Sequence, residues 1–313
     1  MADRRPQGEI EDVAVLDLTP MTSPEELAGI TRISDVAVLL VPESLLPAVV
    51  GIPMDDVAMV IPVPEGVEVR KHTGSLVMGG EALASEDAGD AALIVVGTLV
   101  LTSPVRRVAY RQVIVLGLVL APHGSEAALG GGLTRVTGSV DYYPHVEGQE
   151  VRVSTGQLRA GGEVLANAAG NPGDVLVVAG QLIVTGPVTT VGYRRIVVAG
   201  QLLAPRESQP LLGPVAIVKG QLVWYSGQPR FFVGKERFGR SFFELVDEPL
   251  TLALVGRFEI DPEVPAQLLR EKVAEITLVG KLVAPRALAG VLQLLTTEKV
   301  GEITVAEDAD EPR

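Results

Sequence analysis

Along most of the chain the apolar positions alternate, in runs too short for ordinary helices. Leu93, Val95 and Leu99 share one side of such a run, as do Leu176, Val178 and Leu182. Ile196, Val198 and Leu202 repeat the arrangement, and so do Leu252, Leu254 and Phe258. A period of two is the signature of a strand. Each run carries a Gly on the same inward side, where a missing side chain is expected to admit a bulky neighbour or relax a bend. A Pro follows Gly in many copies, at Pro104, Pro122, Pro144, Pro187, Pro205, Pro262 and Pro285. Because Pro cannot donate to a strand ladder, it marks a corner.

The pattern recurs at a steady interval. Near the N-terminus the phrase Asp-Val-Ala-Val or Asp-Val-Ala-Met begins at Asp12, Asp35 and Asp56. The later phrase is built on Gly97, Gly117, Gly138, Gly156, Gly180, Gly200, Gly220, Gly256 and Gly280. Successive glycines lie 18 to 24 residues apart, except for one interval of 36 between Gly220 and Gly256. A unit of that length holds one strand and one corner and cannot bury its inner face alone, so the units must stack. The expected fold is mostly β: a parallel β-solenoid of about 14 rungs, a right-handed β-helix by the general rule for parallel crossovers. An antiparallel sandwich is the competitor, and it does not explain the recurring corner.

Both ends of the chain depart from the all-strand pattern. Ser23-Pro24-Glu25-Glu26 has the chemistry of a helix start, and Asp261-Pro262-Glu263 repeats it. Short helices are expected near 24–29, 43–50, 263–273 and 286–296. The domain reading is a flexible N-terminus at 1–11, one solenoid over 12–306 and an acidic tail at 307–313. Within the solenoid, strand-helix repeats cover 12–75 and all-β rungs cover 76–225. An aromatic and basic hairpin is inserted at 226–250, and strand-helix repeats return over 251–306.

Composition narrows the functional classes. The 313 residues are 47% hydrophobic, and Gly (34) and Pro (22) outweigh the 4% aromatic content. That suits short strands and turns. The net charge of -13 argues against general affinity for nucleic acid or an anionic membrane. With no Cys, thiolate metal sites and Cys nucleophiles are excluded. No apolar run approaches the roughly 20 residues of a membrane span, and no signal segment opens the chain, so the expected location is cytoplasmic. Neither cofactor nor metal is expected: HExxH, GxSxG and P-loop spacings are missing. Asp141, His145 and Glu147 are the one grouping suited to acid–base work, and His72 and His123 lie elsewhere.

Three features point to binding. Gln157, Gln181, Gln201 and Gln221 each follow a repeat Gly, so stacking would align them as an amide ladder or a polar ligand stripe. On the outward side of the strands, Ile94, Val96, Ile114, Leu116, Val177, Val197 and Ile217 form an apolar stripe too large for a monomer to expose. It is expected to be covered by a second copy, by another protein or by the chain's own loops. In the 36-residue interval, Trp224, Tyr225, Phe231, Phe232, Phe238, Phe242 and Phe243 are interleaved with Arg230, Lys235, Arg237 and Arg240. Ser226-Gly227-Gln228-Pro229 is a turn signal there, which suggests a projecting hairpin with a partner-binding set from Trp224 to Phe243, including Arg237.

The function expected from these features is that of a structural or scaffolding protein, not an enzyme. It would form a homo-oligomer through the apolar stripe or end to end, with the helical ends and acidic tail arguing for closed dimers over filament growth. The alternatives are an adaptor that binds another protein through residues 224–243, and a carbohydrate-active enzyme of β-helix type.

Overall fold

A computed structural model describes residues 7–306 of the chain. The tail expected at 307–313 and the first part of the N-terminal segment expected at 1–11 fall outside those residues. The rest of that segment is not loose: Gly8–Ile10 is a strand paired with the stretch that begins at Ile30. Strand makes up 49% and helix 20%, so the fold is mostly β as the alternation predicts.

Every pairing among the described strands is parallel, and the strands of successive repeats are neighbours in the sheets. They do not form one ladder from end to end. Four separate sheets occur, in two compact units divided after His145. Sheet I contains Gly8–Ile10, Val13–Asp17, Ile30–Pro42, Met54–Val57 and Val60–Val63. Sheet II runs from Glu68–Met78 through Ala91–Leu101 and Gln112–Pro122 to Arg135–Val136 and Val140–Tyr143. These two belong to the first unit. Sheet III, in the second unit, runs from Val151–Ala160 through Val175–Val184 to Arg195–Val198 and Gln201–Pro205, then Ala216–Val218 and Gln221–Tyr225. Sheet IV is Arg230–Phe238, Leu250–Ile260, Val273–Ala284 and Thr296–Val305.

The glycines align across the strands, Gly156 beside Gly180 and Gly234 beside Gly256, then Gly280 and Gly301. Their role is not the one expected from the strand pattern. A Cβ on Gly180, whose φ is +145°, would overlap the carbonyl oxygen of Gly156 rather than a bulky side chain. Gly156 opens its sheet, has φ +78° and faces open space. In sheet I the left-handed residue of each rung is the Asp of the repeated phrase, with φ of 57°, 50° and 53° at Asp12, Asp35 and Asp56. Asp tolerates that conformation better than other side chains because its short carboxylate can bond locally.

Each sheet has its own core on the inner side, closed by short helical turns. One fully buried apolar residue per turn plugs the sheet: Leu83 and Leu129 in sheet II, Leu165 and Leu212 in sheet III, Phe243, Leu269 and Leu292 in sheet IV. Helical turns are present at Pro24–Leu27, Leu46–Val49, Ala266–Lys272 and Ala289–Leu295, within the four stretches expected to be helical. Others interrupt the stretch expected to be all-β, at Gly80–Leu83, Glu126–Gly132, Gly162–Ala166 and Gln209–Leu212. These are one or two turns long and anchored by a single residue, so they leave no helical period to read.

Proline at the corner creates a vacancy that tyrosine fills. In the parallel register Ile183 faces Leu203, so the carbonyl of Val184 would accept from the backbone nitrogen at Pro205, which has no hydrogen. Tyr225 on the next strand donates its hydroxyl to that carbonyl at 2.7 Å. In sheet II the Leu101 carbonyl faces Pro122 in the same way, and Tyr143 donates to it. Burial pushes both phenols up from the ordinary tyrosine value.

Three substitutions are tested by chemical denaturation. Gly180→Ala should cost more than about 3 kcal/mol, because left-handed strain adds to a backbone clash. Gly156→Ala should cost only about 1–2 kcal/mol, from strain alone. Tyr225→Phe should cost about 1–3 kcal/mol by orphaning a buried carbonyl. That cost should shrink in a Pro205→Ala background, which restores the missing donor.

Candidate functional site

The sheets of each unit pack through their outer sides, and this decides the fate of the apolar stripe. In the first unit Ile94 and Ile114 are 0% and 3% exposed, and they sit against Val38, Leu40 and Ile61 of sheet I. Val96 and Leu116 pack at the margin of the same cluster. The chain's own first sheet therefore covers this part of the stripe, and these four residues are not an open self-association surface. Val177 and Val197 are buried as well, and Ile217 is half-buried. In the second unit the outer residues that follow the glycine in sheet III, Ile183, Leu203 and Val223, meet Val255 and Val279 of sheet IV.

The same rule holds in both units. The half of one sheet beyond its left-handed residue covers the half of the next sheet that precedes the glycine. In the first unit this contact is reinforced at its edge by Lys71, whose Nζ lies 2.8 Å from Asp17 Oδ2. Burial alone would raise the Asp17 carboxyl. Lys71, together with the amide and hydroxyl of Thr19 on the other carboxylate oxygen, outweighs that and holds it below the ordinary carboxylate value.

The aromatic and basic segment is not a hairpin. Gln221–Tyr225 pairs parallel with Gln201–Pro205 in sheet III, whereas Arg230–Phe238 pairs parallel with Leu250–Ile260 in sheet IV. Residues 226–229 are the link between two sheets. The long interval hides a further repeat glycine, Gly234, which stands in register with Gly256. Phe238 and Phe243 are buried in the core of sheet IV, with Phe232 and Phe242 packed beside them. Phe238 stacks on Phe258 at 5.9 Å. Tyr225 and Phe231 join the contact between sheets III and IV, meeting edge to face at 5.2 Å. Trp224 packs against the core of sheet III. Of the expected partner-binding residues only Arg237 is exposed, and it is held by Asp261 and Glu259. The geometry therefore gives these aromatics to packing.

The glutamines do form a ladder. Gln157 Nε2 donates to Gln181 Oε1, Gln181 to Gln201, and Gln201 to Gln221, each at 2.5 Å. Its two ends are exposed and unlike: Gln157 keeps a free carbonyl oxygen and Gln221 a free amide. At the corresponding positions sheet IV carries Lys235, Arg257, Lys281 and Glu302 in register, with Lys281 Nζ 2.6 Å from Glu302. Sequence reasoning missed this charged row because Gly234 and Gly301 were not recognised as repeat positions.

The concave features offer little chemistry. A cleft of about 780 Å3 opens beside the 226–229 link, where Arg159 lies 5.4 Å from the Phe231 ring centroid and Glu207 is the one acid in the lining. A smaller cleft of about 240 Å3 in the first unit is lined by Thr19, Thr22, Ser44 and Glu65 among others. Asp141 accepts from Ser139 Oγ at 2.9 Å, His123 pairs with Glu126 at 2.9 Å, and His72 lies in the first strand of sheet II. Among the described residues no group of acidic and imidazole side chains is placed to hold a metal ion, and no helix is long and apolar enough to cross a membrane. Comparison with protein-family models, with curated proteins and with solved structures finds no match.

The Asp17 contact has a pH signature. A depressed carboxyl contributes stability above its unfolded value, about 3.9, and loses it as the pH falls through the lower folded value. Wild type should therefore be more stable than Asp17→Asn at pH 7. In urea titrations that difference should close as the pH falls below the ordinary carboxylate range.

Proposed function

We propose that the protein is a non-catalytic structural scaffold that self-associates. Each sheet with its helical turns is a short right-handed β-solenoid segment, and segments packed side by side give a rigid rod-like element within each unit. The observation that carries this reading is the state of the strand edges. Glu68–Met78, Val151–Ala160, Arg230–Phe238 and Thr296–Val305 each pair on one side only among the described residues, and their exposure contrasts with the buried strands between them. Long unpaired edges are the part of a β-protein most ready to join another chain.

The apolar stripe is not the joining surface in this reading, since the adjoining sheet takes up Ile94 and Ile114. An adaptor role for residues 224–243 loses its support for a similar reason: the aromatic anchors are spent inside sheet IV and on its contact with sheet III.

Light scattering over a hundredfold concentration range tests the proposal. The mass should rise with concentration, and a constant monomer mass would overturn it. Ile114→Lys should not yield a well-folded monomer. It places an ammonium in a closed apolar contact and should abolish the cooperative unfolding of the first unit.

A further inference from the structure

We infer that the second unit joins a second copy of this chain head to tail, the last strands of sheets III and IV in one copy pairing with the first strands of those sheets in the next. The inference rests on the scaffold reading and names its contact.

Both ends of the unit have the geometry for it. Arg159 on the first strand of sheet III lies over Phe231 on the first strand of sheet IV, and the last strands Gln221–Tyr225 and Thr296–Val305 touch as well. First strands thus share one end of the unit and last strands the other. Each end offers two parallel edges, and a copy added along the axis continues both ladders at once.

Three features of the edges match in that register. The amide ladder has one polarity throughout, so the free Gln221 Nε2 of one copy meets the free Gln157 Oε1 of the next. Turning every amide over reverses the polarity and leaves the match intact. Glu302 closes its row at one end and Lys235 opens it at the other, so stacking brings carboxylate to ammonium. Gly156 and Gly234 have open space where a Cβ would project, and at inner rungs that space is filled by the carbonyl oxygen of the preceding glycine. In a stack, the carbonyls of Gly220 and Gly301 from the neighbouring copy fill it. Leu222, at the end of the inner Leu182–Leu202 row and 45% exposed, is covered by the same contact.

The first unit does not offer this match. At the position after the glycine its strands carry Ser75, Thr98 and Leu118, neither a line of amides nor opposite charges. The row three residues before the glycine, Lys71, Ile94, Ile114 and Arg135, would set cation against cation between copies. The contact is therefore assigned to the second unit. A heterologous contact of this kind does not close on itself as a two-fold dimer does, so it gives an open series.

A charge swap tests it in the full chain, by light scattering with circular dichroism to confirm folding. Glu302→Lys alone and Lys235→Glu alone each set like charges across the contact. Each should weaken association at least about tenfold, equivalent to about 1.4 kcal/mol. An equimolar mixture restores opposite charges at every junction and should recover the wild-type mass. Gln221→Ala, which leaves all charges in place, should weaken association without being rescued in such mixtures. If wild type associates and the single variants associate equally well, the contact lies elsewhere and the scaffold reading stands without this inference. If wild type stays monomeric throughout the range, both fall.

Discussion

A carbonyl oxygen lying where a side chain would begin is the constraint on which the rest of this structure depends. At each inner rung of sheets II, III and IV the peptide of one strand approaches the α-carbon of the next so closely that only glycine fits, and the conformation there is left-handed as well. Register follows from this. A strand shifted by one residue would bring a Cβ into the carbonyl column, in addition to turning its apolar set outward. The column also divides each strand into two halves with different outer neighbours, which lets one sheet cover half of the next while retaining a core of its own.

Corners carry the second constraint. Proline ends the strand cleanly but removes a donor from the ladder, and two of the resulting vacancies are filled from the following strand by the hydroxyls of Tyr143 and Tyr225. Few aromatics are present, and these two are placed where a polar group must reach past an adjacent strand. Buried carbonyls left unpaired are costly, so the proline corners of these two sheets and the donating hydroxyls of Tyr143 and Tyr225 belong to one device.

Much of this was legible in the chain. Alternation and the recurring Gly and Pro identify parallel stacked strands, and the spacing of four glutamines is sufficient to foresee their ladder. The division into four sheets was not legible, because Gly234 falls inside an aromatic stretch that reads as an insertion and Gly74 and Gly301 lack the full phrase. The stripe through Ile94 and Ile114 was correctly read as needing a cover. What covers it could not be read, since sheet I announces its left-handed positions with Asp12, Asp35 and Asp56 rather than with glycine. The phenylalanines of sheet IV mislead for a related reason: interleaved basic residues resemble a binding surface in sequence, whereas alternation sends the rings inward and the charges outward.

With the apolar outer sides engaged within each unit, the free hydrogen-bonding capacity is concentrated on the first and last strands. Hydrogen exchange of the intact chain at several concentrations measures this most directly. Slow exchange is expected in Ala91–Leu101, Val175–Val184 and Leu250–Ile260 at every concentration, and protection in Arg230–Phe238 and Thr296–Val305 should grow as the concentration rises. Inner strands that exchange as fast as the loops would contradict the ladder architecture. Edge strands whose protection never changes with concentration would contradict their role as the joining surface.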